Sequence, residues 1–291
     1  MKILIALTSA LLLSLPAQGA GADIQFACEV ESVQPGVPFT VGLHVLPQKN
    51  YHTYWKYPGI VGLPTSVEWK LPEGFHAGEI SWPTPEIVDM SGHPAHGFRR
   101  EILLLVVITP PKKIPGSTVT ISGELAWMAC HKECHPGFAT RSIELPVNHT
   151  ANPIYDRKWA AAIKRERAAL PQECSLWKVS VESEADANPV VIRVKPSTGA
   201  SKNPGRVYFF SEDGQITSEP AQRVHRQNDG SYLITDQGLE LSAHLTRSNN
   251  QQIEQSRSLF LPKKAYQGLK AEPSQISFEE QLRNKPGLLR K

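Results

Sequence analysis

The chain has 291 residues with a hydrophobic fraction of 40%, which is enough to build packed cores and excludes a wholly disordered protein. A chain of this length usually exceeds what one core serves, so we expect two domains. The formal net charge is only +3, and Lys and Arg are spread along the chain without a basic run. We therefore expect no nucleic-acid partner, because such binders concentrate their basic residues on one face or in one segment.

The pattern of residues 1–22 predicts a cleaved signal peptide. A positive start is followed by an apolar run at 3–15, and the small residues Ala20 and Ala22 fit a signal-peptidase site. At about 13 residues the run is too short for a permanent membrane anchor, and no later segment approaches the length of a span. A buried N-terminal helix is the alternative. We expect an exported mature chain that begins at Asp23 and has no membrane span of its own.

The next part of the chain, residues 23–150, has the pattern of a β-sandwich. Apolar and polar residues alternate over 39–45 and again over 119–127, as they do in strands with one buried face. Clusters of Pro and Gly separate these segments, and few helical repeats interrupt them. Short strands separated by turns indicate two packed antiparallel sheets.

One helix is predicted within residues 151–175, between two β regions. Trp159, Ile163 and Leu170 fall near one face at helical spacing, with Lys and Arg on the other side. Pro171 ends the segment, because proline cannot continue a helix. We interpret the basic residues as a solvated face and the whole segment as a helical linker.

Composition changes after this helix, because all six Trp and all four Cys lie at or before Trp177. The remainder is more polar but still contains three strand-like segments, at 189–194, 206–210 and 231–235. Glycines in polar turns separate these segments. We predict a second, smaller β-sandwich over residues 176–265 and a polar tail over 266–291.

The densest chemistry lies between Cys130 and His135. Cys130 and Cys134 can close a small disulfide ring, which removes little entropy from the unfolded chain and is a poor structural staple. Small exposed rings are typical of exchange-prone disulfides, and the neighbouring His131, Lys132 and His135 would stabilise an attacking thiolate. We expect thiol–disulfide exchange at this pair, with either cysteine as the attacking thiol. An inert structural disulfide is the alternative.

The same segment also fits a metal site, which is the second hypothesis. Two thiolates and two imidazoles within six residues suit copper or zinc: Cys130, Cys134, His131 and His135. However, adjacent side chains in a strand point to opposite faces, so these four cannot converge easily. A binuclear copper spacing would also need a histidine at position 138, where the chain has Phe138. The alternative function is therefore copper binding, copper delivery or copper tolerance through these ligands.

Cys28 and Cys174 lie at the two ends of the first β region. Four cysteines allow three connectivities. We favour 130–134 together with 28–174, because cysteines close in sequence meet at almost no entropic cost. The long loop of about 146 residues would contribute about 4–5 kcal/mol in the loop-entropy treatment of disulfides. A plain sandwich module for protein contact, with both disulfides structural, is the third hypothesis.

Several short motifs occur in the order in which a known family carries them. They are HTYWKYPGIVGLP at 52–64, WKLPEG at 69–74, ISWPTP at 80–85, HGF at 96–98, WMACHKECHP at 127–136 and VYFFSEDGQITSEP at 207–220. This ordered set, behind a predicted signal peptide, resembles the periplasmic N-terminal domain of the DsbD/ScsB-type thiol:disulfide interchange proteins. The resemblance extends over residues 25–262.

The resemblance implies a mainly β chain of two immunoglobulin-like β-sandwich domains joined by a short helix. The Cys130/Cys134 pair would relay electrons from a membrane thiol reductase to periplasmic acceptors, which are thioredoxin-like or disulfide-containing proteins. No cofactor is implied. The family's multi-helix membrane domain and thioredoxin-like domain have no counterpart in this sequence, so we expect the donor and the acceptor to be separate proteins.

The family also carries an aromatic cap over the disulfide. Phe98 is the first candidate for this cap, and Tyr54 and Trp55 are second choices, although an aromatic core position explains each of them equally well. We also expect three residues beside or near the cysteines to support the site: Trp127, His131 and His135. The location implied for the mature chain is the periplasm.

Overall fold

The computed structural model is mainly β, as predicted. It describes residues 21–149, 152–172, 175–182, 191–200, 205–211, 218–219 and 221–235. The strands in chain order are β1 (Ala22–Cys28), β2 (Phe39–Pro47), β3 (His52–Tyr54), β4 (Ser66–Lys70), β5 (His76–Ala77), β6 (Glu86–Met90), β7 (His93–Phe98), β8 (Ile102–Thr109), β9 (Thr118–Cys130), β10 (Cys134–Pro146), β11 (Trp177–Val181), β12 (Val191–Pro196), β13 (Arg223–Arg226) and β14 (Tyr232–Thr235). Helix α1 (Trp159–Ala169) lies between β10 and β11.

Strands β1 to β10 form two antiparallel sheets that pack face to face. The first sheet has the order β1-β2-β8-β5, and the second has the order β10-β9-β3-β7-β6, with β4 also paired to β9. Leu43 of β2 packs against Leu125 and Trp127 of β9 in one interior cluster. Val41 and Ile121 belong to a second interior cluster. The alternating apolar residues of 39–45 and 119–127 therefore form the faces that are buried between the two sheets. The predicted β-sandwich is confirmed.

Helix α1 covers the outer face of the first sheet. Ile163 is 0% exposed. It packs there against three strand residues: Ala27, Leu103 and Leu105. Trp159 and Leu170 lie at the margin of the same cluster, so the predicted apolar face of the helix is confirmed. Because both faces of the first sheet are covered, β2 is buried along most of its length instead of on alternate residues.

Polar contacts fix both ends of α1. Asp156 Oδ1 accepts hydrogen bonds from the amides of Lys158 and Trp159, which stabilises the first turn. Near the other end, Arg167 donates to the two carboxylate oxygens of Glu29 at 2.9 and 3.0 Å. Arg167 belongs to the basic face that we predicted to be solvated. It holds the helix against the chain just after β1.

The chain after α1 forms a third antiparallel sheet in the order β11-β12-β14-β13. An apolar cluster lies on this sheet: Ile192, Val194, Phe209, Tyr232 and Ile234. Residues beyond 235 lie outside the described residues, so the second sandwich over 176–265 and the tail over 266–291 stay predictions.

The predicted signal peptide falls almost wholly outside the described residues. Ala22 is the first residue of β1, where it is buried and paired with Pro47. Within the part of the chain that the structure describes, α1 is too short and too polar to cross a bilayer, and no other helix could do so. Cleavage near Ala22 stays a prediction.

We predict that Ile163→Ala lowers the free energy of unfolding by about 2–4 kcal/mol, because the substitution leaves a cavity between α1 and the first sheet. Urea unfolding followed by circular dichroism measures the change. Ile154→Ala is the matched control, since Ile154 is 48% exposed and should cost far less. Equal losses for the two variants would mean that α1 does not contribute its packing to the sandwich.

Candidate functional site

The two cysteines close the end of the long β9–β10 hairpin. The hairpin pairs Thr118 with Pro146 at one end and Cys130 with Cys134 at the other. Residues 131–133 make the connecting turn, in which the amide of His131 donates to the carbonyl of Glu133 at 3.1 Å. A disulfide joins Cys130 and Cys134, whose Cα atoms are 4.1 Å apart. The strand register thus brings the two sulfurs together.

The disulfide lies on the outer face of the second sheet. Side chains alternate along β9, so Trp127 and Ala129 point into the sandwich, whereas Met128 and Cys130 join a separate cluster on the other face. Cys130 is 0% exposed. Cys134, on the edge strand β10, is only partly buried. Cys134 is therefore the more exposed residue of the disulfide.

A small apolar cover lies over the disulfide, and we define it as residues 61–63 together with Met90. Val61 and Leu63 pack in the same cluster as Cys130. Met90, at the end of β6, has its Sδ 3.7 Å from Cys134 Sγ. Gly62 has a φ of +88°, and a Cβ there would lie 2.2 Å from Tyr54 Cε1, so the loop is pressed onto the Tyr54 ring.

Tyr54 and His52 supply polar groups beside the disulfide. The Tyr54 hydroxyl lies 3.8 Å from Cys134 Sγ and 3.2 Å from His52 Nε2. Burial, with a smaller contribution from the positive charge of Arg99, lowers the pKa of His52 to about 4. Burial also raises the pKa of Tyr54 above its ordinary value. Both side chains are therefore neutral at pH 7 and act as hydrogen-bonding groups next to a sulfur.

The structure places the three cap candidates on two different faces of the second sheet. Phe98 is buried in the interior cluster of the sandwich, where its ring stacks on Trp82 at 6.5 Å. Trp55 lies in the same cluster, because it follows Tyr54 and points to the opposite face. Of the three predicted cap residues, Tyr54 alone contacts a cysteine among the contacts described. Trp127 supports the hairpin from inside the sandwich and does not reach the disulfide face.

His131 and His135 lie away from the disulfide face. Both rings contact the ring of Tyr51, each with a centroid distance of 5.9 Å. Tyr51 packs against the interior cluster, so the two histidines and the two cysteines are on opposite sides of the hairpin. Over the described residues, no group of three or more His, Cys, Asp or Glu side chains is arranged to hold a metal ion. The four ligands of the copper hypothesis are therefore not brought together.

Cys28 lies in a different environment from the hairpin cysteines. It is the last residue of β1 and belongs to the interior cluster that includes Val41. Burial raises the pKa of its thiol to about 11, which makes it a poor nucleophile. Cys28 is a free thiol in the structure, so the predicted disulfide between Cys28 and Cys174 is not formed there; Cys174 itself lies outside the described residues.

Sequence reasoning did not assign a role to two residues of the site. His52 is two positions before Tyr54 and so shares its face of the strand, which is the one signal in the sequence that could have placed it at the site. Met90 carries no signal in the sequence, because its contact with Cys134 joins positions 44 residues apart.

Comparison with known proteins decides the family of this region. Residues 22–146 match the family described as the N-terminal domain of the thiol:disulfide interchange protein DsbD. These residues form a DsbD N-terminal domain. The match spans β1 to β10, so the entire sandwich and the Cys130–Cys134 hairpin fall within the DsbD-type domain.

A solved structure resembles a larger part of the chain. It is the crystal structure of the N-terminal periplasmic domain of ScsB from Proteus mirabilis, which matches with a TM-score of 0.53 and 15% sequence identity. The match covers 81% of this chain and 87% of the ScsB domain. At this identity the likeness shows a shared fold that extends beyond the DsbD-type domain. Comparison with curated protein sequences gave no match.

We predict that the stability of the protein falls between about pH 7 and about pH 5. Burial lowers the folded-state pKa of both His52 and His96 to about 4. In the unfolded chain each histidine has a pKa near 6.5, so acidification protonates the unfolded state first. The two neutral histidines make their full contribution to the free energy of unfolding above the pKa that they have in the unfolded chain. That contribution is lost as pH falls towards their folded-state pKa of about 4. The expected loss over this range is about 2 kcal/mol for each histidine.

Urea unfolding of the parent and of His52→Gln at the two pH values measures this dependence. The variant should lose part of the pH dependence, because one of the two buried imidazoles is absent. His76→Gln is the control, since His76 is exposed and the parent's dependence should persist. An unfolding free energy for the parent that is flat over this range would contradict the buried, neutral state of these side chains.

Proposed function

We propose that this chain is an exported thiol:disulfide interchange protein that transfers electrons through Cys130 and Cys134. The observation that carries the proposal is a disulfide between one buried and one partly buried cysteine, at the hairpin end of a DsbD N-terminal domain. A purely structural disulfide needs no accessible sulfur. The partial exposure of Cys134 supports exchange with other proteins.

The exchange begins at the exposed sulfur. A thiolate of a donor dithiol attacks Cys134 Sγ, the Cys130–Cys134 bond breaks, and Cys130 leaves with the electron pair as a thiolate. The second donor thiol then attacks the donor sulfur of the mixed disulfide and releases Cys134. The donor ends as a disulfide, and the domain takes up two electrons and two protons as two thiols. Transfer to an acceptor disulfide is the same sequence in reverse.

Tyr54 and His52 assist the thiolate of Cys134 in this proposal. His52 Nε2–H donates to the Tyr54 oxygen, and the Tyr54 hydroxyl donates to the sulfur 3.8 Å away as negative charge develops there. A neutral donor pair stabilises the thiolate without placing a second charge in a buried site. Tyr54 and His52 therefore raise the thiolate fraction of Cys134.

The partners follow from the family. We propose a membrane thiol reductase as electron donor and periplasmic thioredoxin-like or disulfide-containing proteins as acceptors. The family name describes thiol:disulfide interchange, and the ScsB domain of similar fold is described as periplasmic. The apolar run and the small residues at Ala20 and Ala22 support export with a mature chain that begins near Asp23.

We predict that Cys130→Ser accumulates a mixed disulfide with its protein partner, whereas Cys134→Ser does not. The first variant keeps the accessible attacking sulfur but lacks the thiol that resolves the intermediate. Trapping in periplasmic extract, followed by non-reducing electrophoresis and mass mapping, identifies the linked residue. His131→Ala and His135→Ala serve as controls and should retain turnover. Tight copper binding that depends on both histidines, with no trapped complex from either cysteine variant, would contradict the proposal.

We predict that Tyr54→Phe slows alkylation of Cys134 in the reduced protein by about three- to ten-fold at neutral pH, because the thiolate loses a hydrogen-bond donor. The rate against pH, measured by peptide mapping, should shift to a higher thiol pKa. Tyr155→Phe is the matched control, since Tyr155 is 56% exposed and belongs to neither the disulfide cluster nor the cover. An unchanged rate for Tyr54→Phe would exclude this assistance.

A further inference from the structure

The region after α1 contacts the chain that leads into the disulfide cover. We define the docking segment as residues 208–210 together with 218–219. Tyr208 of this segment has its hydroxyl 2.9 Å from His96 Nε2. His96 Nδ1 lies 3.2 Å from the carbonyl oxygen of Tyr57, and the His96 amide donates to the carbonyl of Pro58 at 2.9 Å. One histidine thus connects the docking segment to residues 57–58, three positions before the cover.

The direction of these hydrogen bonds follows from the chemistry of the partners. The Tyr57 carbonyl can only accept, so His96 Nδ1 carries the proton and donates. In the neutral imidazole Nε2 is then an acceptor, and the Tyr208 hydroxyl donates to it. Burial favours this neutral form, since it lowers the pKa of His96 to about 4. Both ring nitrogens of His96 are thereby used.

Aromatic packing accompanies the hydrogen bond. The ring of Phe210 contacts Trp55 at a centroid distance of 5.8 Å and His96 at 5.0 Å. Tyr208 and Phe210 also contact each other at 4.6 Å. Trp55 immediately follows Tyr54, which lies beneath the cover on the other face. The docking segment therefore packs against the residue that directly follows the strand containing Tyr54.

Residues 218 and 219 contact neighbours of both parts of the cover. A Cβ at Gly59 would lie 2.0 Å from Ser218 Oγ, so Ser218 sits directly against the backbone of the loop two residues before Val61. Glu219 lies 3.1 Å from His93 Nδ1. His93 is paired with Met90 across the β6–β7 hairpin. One side of the cover is thus contacted through Gly59 and the other through His93.

We infer that the docking segment positions the cover over Cys130–Cys134, with His96 and Tyr208 as the positioning residues. The inference rests on the proposed function, because a cover matters where the disulfide must exchange. When the docking segment is seated, residues 57–59 and His93 are fixed, and Val61, Leu63 and Met90 shield the sulfurs. When it leaves, the loop and the hairpin lose these restraints and Cys134 becomes more accessible. The region after α1 thereby controls the rate of exchange at a site to which it contributes no cysteine.

The test measures how fast a small dithiol reduces the disulfide in the full mature chain. Dithiothreitol is oxidised to its cyclic disulfide as Cys130 and Cys134 become thiols, and alkylation with mass mapping counts them. Tyr208→Phe removes only the hydroxyl, and Phe210→Ala removes the ring contacts. We expect reduction to accelerate about three- to ten-fold in Tyr208→Phe and more in Phe210→Ala. Tyr232→Phe is the matched control, because it also removes only a hydroxyl from a buried tyrosine, keeps the ring that shares a cluster with Phe209, and should leave the rate unchanged.

Cys28 separates local opening from unfolding, because it is buried in a distant interior cluster and should stay unmodified in every variant. If Cys28 is also modified in Phe210→Ala, that variant has unfolded, and the test then rests on the reduction rate of Tyr208→Phe. Rates for Tyr208→Phe equal to those of Tyr232→Phe would overturn the inference. The readout needs no protein partner, so a failure to trap partners would count against the proposed function and leave this result standing.

Discussion

The constraint on which the site depends is the register of the β9–β10 hairpin. Because the final pair of that ladder joins Cys130 to Cys134, the two sulfurs meet without any distant contact to hold them. Side chains along a strand alternate between the two faces of the sheet. Cys130 and Met128 therefore lie on the outer face, and Trp127 lies on the interior face. A slip of one residue in β10 would turn the Cys134 side chain to the face opposite Cys130, and the two sulfurs would no longer meet.

The outer face of the second sheet gives the two sulfurs unequal surroundings. Cys130 is enclosed, whereas Cys134 lies on an edge strand that has a neighbour on one side only in its sheet. The nearest polar groups are Tyr54 and His52, and burial keeps both uncharged near neutral pH. This combination favours a single point of attack. In the exchange that we propose, it also protects the buried Cys130 thiol, which would resolve the mixed disulfide, from unrelated oxidants.

Much of the fold follows from the sequence, because its longest strands and its helix have clear periodicity. Strands β2 and β9, helix α1 and the proximity of Cys130 to Cys134 are of this kind. The orientation of aromatic residues in short elements does not follow from the sequence. Strand β3 has three residues, too few to show a period, so the sequence does not distinguish the outward-facing Tyr54 from the inward-facing Trp55 that follows it. Contacts such as Met90 with Cys134, or His96 with Tyr208, join distant positions and depend on tertiary packing alone.

Electron transfer through Cys130–Cys134 is tested most directly by the reduction potential of that pair. The oxidised mature chain is equilibrated in glutathione buffers of known potential, alkylated and analysed by peptide mass. An interchange protein should gain two alkyl groups together, at Cys130 and Cys134, with a midpoint in the range of known thiol carriers, about −120 to −270 mV. A pair that stays oxidised below about −300 mV would behave as a structural disulfide and would contradict the relay.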